Sequence, residues 1–206
     1  MSGEVTPTTT VAESEGRRER KKRETREALQ AAALRLFGER GFDAVTVEDI
    51  AEAVDVSTRT FNRYFARKED VVIPDQPERA EALRAALATR PNDEPLLESI
   101  IQAVRSVIEH DADRQAVRLL QARLLTLTPA LQAQNLQRQQ TWASIVADHV
   151  ASRLGVDPDL DPRPRLYGLS TVAVMVAARQ AWVLTDDPGA LAGLVSERFA
   201  LLASGL

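Results

Sequence analysis

VTVEDIAEAVDVSTRTFNRYF, residues 45–65, reads as two short helices joined by a tight turn, and the rest of the chain takes its meaning from this stretch. Thr46, followed three residues later by Asp49, is a variant of the capping box: a hydroxyl and an acid placed to satisfy the unpaired N–H groups of a helix start. Val47, Ile50, Ala51 and Val54 then fall at the spacing of one buried helical face. Asp55 and Val56 make the turn, and Ser57 caps the second helix. Phe61 and Phe65 bury one side of that helix, leaving Thr58, Arg59, Thr60, Asn62, Arg63 and Tyr64 for the other. A short helix pinned by two aromatics, with polar groups crowded at its exposed N-terminal end, suits insertion into a DNA major groove. The same local pattern also fits an ordinary helical hairpin with a solvated polar face.

The flanking residues weigh against that plainer reading. Upstream, Leu29, Ala32, Ala33, Leu36 and Phe37 form an amphipathic helix that closes at Gly41-Phe42, with the glycine in a left-handed cap. Downstream, Ala66 to Asp70 begins another helix. The run RETREALQAAALRLFGERGFDAVTVEDIAEAVDVSTRTFNRYFARKED, residues 23–70, resembles the DNA-binding domain of TetR-type (tetracycline-repressor-like) transcriptional regulators. The resemblance rests on order and spacing: Arg-Gly-Phe ending a helix, Thr opening the next, Ile-Ala within it, Val-Ser before the recognition helix, Tyr-Phe at its end and Lys-Glu-Asp beyond.

Composition agrees on class. The chain has 206 residues, enough for one small and one medium domain. It contains no cysteine, which excludes a disulfide framework, a thiolate metal site and a cysteine nucleophile, and fits a cytoplasmic location. The polar, acidic start (Glu4, Glu13, Glu15) lacks the apolar core of a signal peptide. Leu166 to Leu184 approaches the length of a membrane span, but Arg179, Gln180, Ser170 and Thr171 interrupt it, so no membrane association is expected. A helix that apolar is more simply buried on two sides, in its own core and in a partner.

The net charge of −4 becomes informative when divided. Residues 17–70 hold 13 bases against 11 acids, while residues 71–206 hold 13 against 16. Arg17 to Arg26 alone carries seven bases and two acids. Arg17, Arg18, Arg20, Lys21, Lys22 and Arg23 thus form a basic arm before the first helix, placed as a flexible segment to reach phosphates or a minor groove, or else simply solvated. Residues 1–16 read as a disordered tail.

Beyond residue 70 the pattern is helix after helix. Pro74 and Pro77 interrupt the chain, and helices are expected over 77–89, 94–109, 113–127, 129–154, 165–185 and 188–204. The expected architecture is all-α, about nine helices, divided into a tail (1–16), a helix-turn-helix domain with its basic arm (17–70) and a helical effector-binding and dimerisation domain (71–206).

The resemblance implies more than the residues alone do. It implies a homodimer joined through the last two long helices, binding double-stranded DNA at a palindromic operator. The exposed recognition-helix residues would read bases: Thr58, Arg59 and Asn62, with Arg59 able to engage a guanine edge and Asn62 an adenine. Thr46, Thr60, Tyr64 and Lys68 match positions that grip phosphates, with Arg63 added here; Tyr64 also fits a place partly in the core. Two positions depart from the family pattern. Asn62 stands where an aromatic is common, and Asp55 replaces a frequent turn glycine, so the turn carries strain. A small-molecule effector of unspecified identity would bind the body and release the DNA. Its candidate contacts are Arg118, Gln121, Trp142, His149, Arg179 and Trp182, polar or aromatic residues interrupting apolar faces. Each also has a plainer place: His149 as a satisfied core histidine, the tryptophans as core or dimer contacts, Arg179 as half of a pair across the dimer.

Other classes fit poorly. Two distant histidines, no glycine-rich phosphate loop and no Gly-x-Ser-x-Gly elbow argue against an enzyme. Asp157, Asp159 and Asp161 suggest a calcium loop, but Pro162 and Gly168 occupy its sixth and twelfth positions, so neither metal nor cofactor is expected. The alternative within the DNA-binding class is a dimer without a small effector, its body serving dimerisation or protein docking.

Overall fold

The computed structural model describes residues 9–72, 77–110 and 114–205, and the side chains of all of these except 9–15 and 77–78. Among the described residues there are ten α-helices and no strand. They are α1 (Thr9–Arg40), α2 (Val47–Glu52), α3 (Thr58–Tyr64), α4 (Glu69–Val72), α5 (Pro77–Ala88), α6 (Leu96–Glu109), α7 (Gln115–Leu127), α8 (Pro129–Leu154), α9 (Pro162–Trp182) and α10 (Leu191–Ser204), with a 3-10 turn at Pro188–Ala190. The all-α reading holds; the count exceeds nine because the four residues of α4 form an element of their own. Contacts divide the chain after Val72 into two compact units.

The first unit packs α1 to α4 around Leu29, Ala33, Leu36, Phe37, Phe42, Val45, Ile50, Phe61, Phe65 and Val71, all buried. The Phe37 and Phe42 rings lie 4.9 Å apart, and those of Phe61 and Phe65 5.6 Å apart. Gly41 takes φ 83° after α1, the left-handed cap its sequence position calls for. One expectation fails here. α1 begins at Thr9, so residues 9–16 of the expected tail, and the whole basic segment 17–26, are helical. The first eight residues of that tail lie outside the described residues. Arg, Lys and Glu are good helix formers, and side chains three or four apart support the turn: Arg20 reaches Glu24 at 3.7 Å and Lys22 reaches Glu19 at 3.7 Å.

The second unit begins with α5, whose Pro77 occupies the first helical position, where a missing N–H costs nothing. Ala80, Leu83 and Leu87 of α5, Ile100, Val104 and Val107 of α6, Ile145, Val146 and Val150 of α8, Val174 and Ala178 of α9 and Val195 and Phe199 of α10 form one core. α8 starts on Pro129 and stops at Gly155, which adopts φ 63°. α9 starts three residues earlier than expected, because Asp161 caps it and Pro162 and Pro164 are tolerated in a first turn. The α8–α9 pair packs closely at Gly168, where an added Cβ would stand 2.2 Å from the Ala143 carbonyl oxygen. No helix among the described residues is long and apolar enough to cross a membrane.

Candidate nucleic-acid interface

The recognition helix is held by local chemistry at both ends of the α2–α3 turn. Asp49 N–H donates to Thr46 Oγ1 at 3.1 Å, and Thr46 N–H donates to Asp49 Oδ2 at 2.8 Å, closing the capping box. The Thr46 hydroxyl also donates to Asp49 Oδ2 at 2.7 Å. These Thr46 bonds, backbone first, and the Arg40 guanidinium 3.6 Å away hold the Asp49 carboxyl below its ordinary pKa. α2 then ends in a Schellman motif: Val56 N–H bonds the Ala51 carbonyl at 3.0 Å and Asp55 N–H that of Glu52 at 3.0 Å. Asp55 sits at its left-handed position with φ 55°, as a glycine would. Ser57 caps α3 by accepting from Thr60 N–H at 3.1 Å, and its hydroxyl meets that of Thr60 at 3.0 Å.

Phe61 and Phe65 anchor α3 in the core, and the opposite face presents the expected groups. Thr58 is half-buried, Arg59, Asn62 and Arg63 are exposed, and the four share one side of the helix. Arg59 and Asn62 form no hydrogen bond or ion pair with any described residue, so both side chains are available to a base edge. Thr60 and Tyr64, both half-buried, flank them. Tyr64 is neither core nor solitary: Arg63 Nη2 donates to its hydroxyl at 3.0 Å and the guanidinium lies 5.0 Å from its ring centre.

In the body, the six proposed effector contacts do not converge. Trp142 is half-buried against the main core, with the Arg79 guanidinium 5.9 Å from its ring centre. His149 Nε2 lies 3.1 Å from the hydroxyl of fully buried Ser99, the plainer place considered for it; burial, then the nearby Arg153 charge, lowers its pKa. Trp182 is buried with Leu119 and Ala122, and its indole N–H donates to the Asp187 carbonyl at 3.1 Å. Arg118 and Gln121 are half-buried on α7, and half-buried Arg179 on α9 leaves Nε without a hydrogen-bond partner.

The same division of the chain appears in its relatives. Residues 29–73 match the family described as bacterial regulatory proteins, tetR family, and residues 94–206, more than half of the chain, match the MftR C-terminal domain. The chain belongs to the tetR family of bacterial regulatory proteins. This TetR-family chain is 39% identical over 178 residues to the HTH-type transcriptional regulator TcmR of Streptomyces glaucescens, covering 84% of this chain and 79% of that protein. A solved TetR-family structure from Syntrophomonas wolfei shares the fold at TM-score 0.64 and 21% identity, over 90% of this chain and 97% of that one. Thermus thermophilus FadR, a TetR-family repressor crystallised with lauroyl-CoA, superposes at TM-score 0.55 and 23% identity, over 88% and 94%. The protein is therefore a DNA-binding transcriptional regulator, and α2–α3 is its helix-turn-helix.

Within this TetR-family head, sequence reasoning missed several internal contacts. Lys68, matched to a phosphate-gripping position, turns its ammonium inward, donating to the Phe42 and Val45 carbonyls at 2.9 Å each and lying 4.5 Å from the centre of the Phe42 ring. Thr46 has its hydroxyl and its N–H engaged by Asp49. Gln30 ties α1 to α4 through the Val71 carbonyl at 3.1 Å, and the Arg26 guanidinium stacks 4.9 Å from the centre of the Phe65 ring. The basic residues Arg17, Arg18, Arg20, Lys21, Lys22 and Arg23 are all exposed along the first half of α1, as a helical rather than a flexible arm.

Proposed function

We propose that this regulator is a cytoplasmic repressor that binds a palindromic operator as a homodimer and lets go when a small molecule occupies its body. The observation that carries the reading is α3 itself: Arg59 and Asn62, exposed and uncommitted, on a helix fixed by Phe61 and Phe65. Arg59 and Asn62 read base edges, Thr58 adds a contact at the helix start, and Thr60, Arg63 and Tyr64 meet phosphates at its flank. Lys68 and Thr46 contribute to that flank mainly by fixing its shape. The helical basic arm adds charge-dependent affinity common to all sequences.

Dimerisation through α9 and α10 is supported by an unusual exposure of leucine. Leu166 and Leu169 of α9 are 63% and 52% exposed, and Leu201 and Leu202 of α10 are exposed as well. Leu166, Leu169, Ala173 and Ala177 fall on one stripe, a narrow apolar face that a second copy would cover. Two heads on one dimer require two similar half-sites separated by about one helical turn or a multiple of it. Ligand response is supported by the FadR structure with its acyl-CoA, and requires an effector that binds one arrangement of the heads better than the other.

Selection of bound duplexes from a random library at about 0.15 M salt tests the reading. A palindrome with two matching half-sites supports it; bound duplexes without a consensus would leave only phosphate contacts standing.

A further inference from the structure

Two buried polar atoms on facing stretches of α8 and α9 have no partner. Oδ1 of Asn135 is an acceptor without a donor, in a side chain only 2% exposed. Nε of Arg179 is a donor without an acceptor, and no described residue offers that guanidinium an ion pair or a hydrogen bond. Burial lowers the Arg179 pKa, and no carboxylate offsets it. The contrast with other arginines of the body is plain: Arg105 pairs with Glu109, Arg90 with Glu94, and Arg153 holds the Asn92 and Glu94 carbonyls.

The register of the two helices brings the orphans to one level. Gly168 abuts Ala143, and α8 and α9 run antiparallel through a short connection. Arg179 is eleven residues beyond Gly168 and Gln132 eleven before Ala143, so these two stand level, with Asn135 less than one turn away, about 4.5 Å along the axis. Arg179 also shares the stripe of Gly168, Val172 and Met175, the side of α9 that faces α8. The exposed stripe of Leu166, Leu169, Ala173 and Ala177 lies roughly a third of a turn around the helix. Arg179 is therefore directed into the body and away from the face assigned to the second copy. One turn along from each orphan, Leu131 and Trp182 are buried and apolar.

An unpaired interior cation beside an unpaired interior acceptor is held at a cost in folding stability, and chemistry supplies a simple occupant that removes the cost. We propose that Arg179 and Asn135 are the polar half of the effector site, and that the effector is an organic acid with an apolar body. Its carboxylate or phenolate oxygens accept from the Arg179 guanidinium, and a nearby hydroxyl or N–H of the same molecule donates to Asn135 Oδ1. This rests on the effector reading given above. Cations are repelled by Arg179, and plain hydrocarbons leave both orphans unsatisfied.

The test uses the full chain and 3-hydroxy-2-naphthoate as probe, with its methyl ester (no anion) and 2-naphthoate (no hydroxyl) as controls. Binding is followed by tryptophan fluorescence and calorimetry. The hydroxy acid is expected to bind at least tenfold more tightly than its ester, a preference lost in Arg179→Met. Its preference over 2-naphthoate is expected to disappear in Asn135→Leu. Without ligand, Arg179→Met is expected to raise Tm by several degrees, since it removes a buried charge that nothing pairs. A fall in Tm would show that the guanidinium serves the fold, and no preference for the acid over the ester would show that no anion site exists; either result overturns the assignment. Operator binding separates the two levels of the argument. A probe bound through Arg179 that leaves DNA affinity unchanged keeps the anion site and removes the effector reading. Release of DNA by the ester and the acid alike, unaffected by Arg179→Met, keeps the effector reading and removes this site.

Discussion

The ammonium of Lys68 lies 2.9 Å from the Val45 carbonyl oxygen, and it donates at the same distance to that of Phe42. It therefore clips the segment that leads into α2 onto the chain that leaves α3. Charge-assisted hydrogen bonds of this kind contribute roughly 1–3 kcal/mol, and the ring of Phe42 beneath the charge adds to them. Lys68→Met should lower the stability of the head by that order and weaken binding to specific and random duplexes together. Lys68→Arg should not rescue it, because a planar fork cannot replace a compact ammonium between two carbonyls. Urea denaturation alongside binding to the two duplexes checks both statements.

Lys68 also shows where sequence reading stopped. A lysine beyond a recognition helix has the same composition whether it grips a phosphate or two carbonyls, and only the tertiary placement of Phe42 and Val45 decides. The basic segment 17–26 is similar: Arg20–Glu24 and Glu19–Lys22 spacing supports a helix, yet the same letters suit a solvated arm. Local rules did better. The caps at Thr46 and Ser57, the turn at Asp55, the buried pair Phe61 and Phe65 and the Pro129 to Gly155 limits of α8 were legible, since each depends on residues a few positions apart. The body candidates were the least legible. Trp182 and His149 satisfy their polar atoms within the chain, whereas Asn135, with one atom unsatisfied, looked like one more polar residue in a glutamine-rich run.

The capping box should make itself felt in acid. Thr46→Ala should destabilise the protein by about 1 kcal/mol, the usual cost of losing an N-cap. Asp49 has a folded-state pKa below its ordinary 3.8. Its contribution is fully present above the unfolded pKa and is lost as pH falls through the folded one. Wild type should therefore exceed Asp49→Ala in Tm at neutral pH, with the gap closing as pH drops below about 3.8. Thermal melts across that range measure it.

Asp55, with φ 55°, is the one described non-glycine residue in the left-handed region. The Schellman hydrogen bonds fix that geometry, so the strain is borne by the side chain's Cβ. Asp55→Gly should stabilise the protein by about 1 kcal/mol without altering operator sequence preference. Denaturation and a binding titration follow the two effects.

Leu169 lies in the middle of the exposed apolar stripe of α9. If a second copy covers it, Leu169→Glu places charges against each other across the interface and should convert dimer to monomer at micromolar concentration in sedimentation velocity. The variant should keep its helical content and lose operator affinity, since one head holds a half-site poorly. A wild-type monomer at that concentration would remove both the dimer and the palindrome.

The most direct measurement is a base-by-base binding series for Arg59→Ala and wild type on the selected operator, at one fixed salt concentration. The helix geometry predicts a loss of roughly 1–3 kcal/mol that vanishes when one particular base pair of the half-site is already changed. It also predicts little change on random duplex. Equal losses on every duplex, the random one included, would mean that Arg59 meets only phosphate, and the account of α3 as a base-reading helix would be wrong.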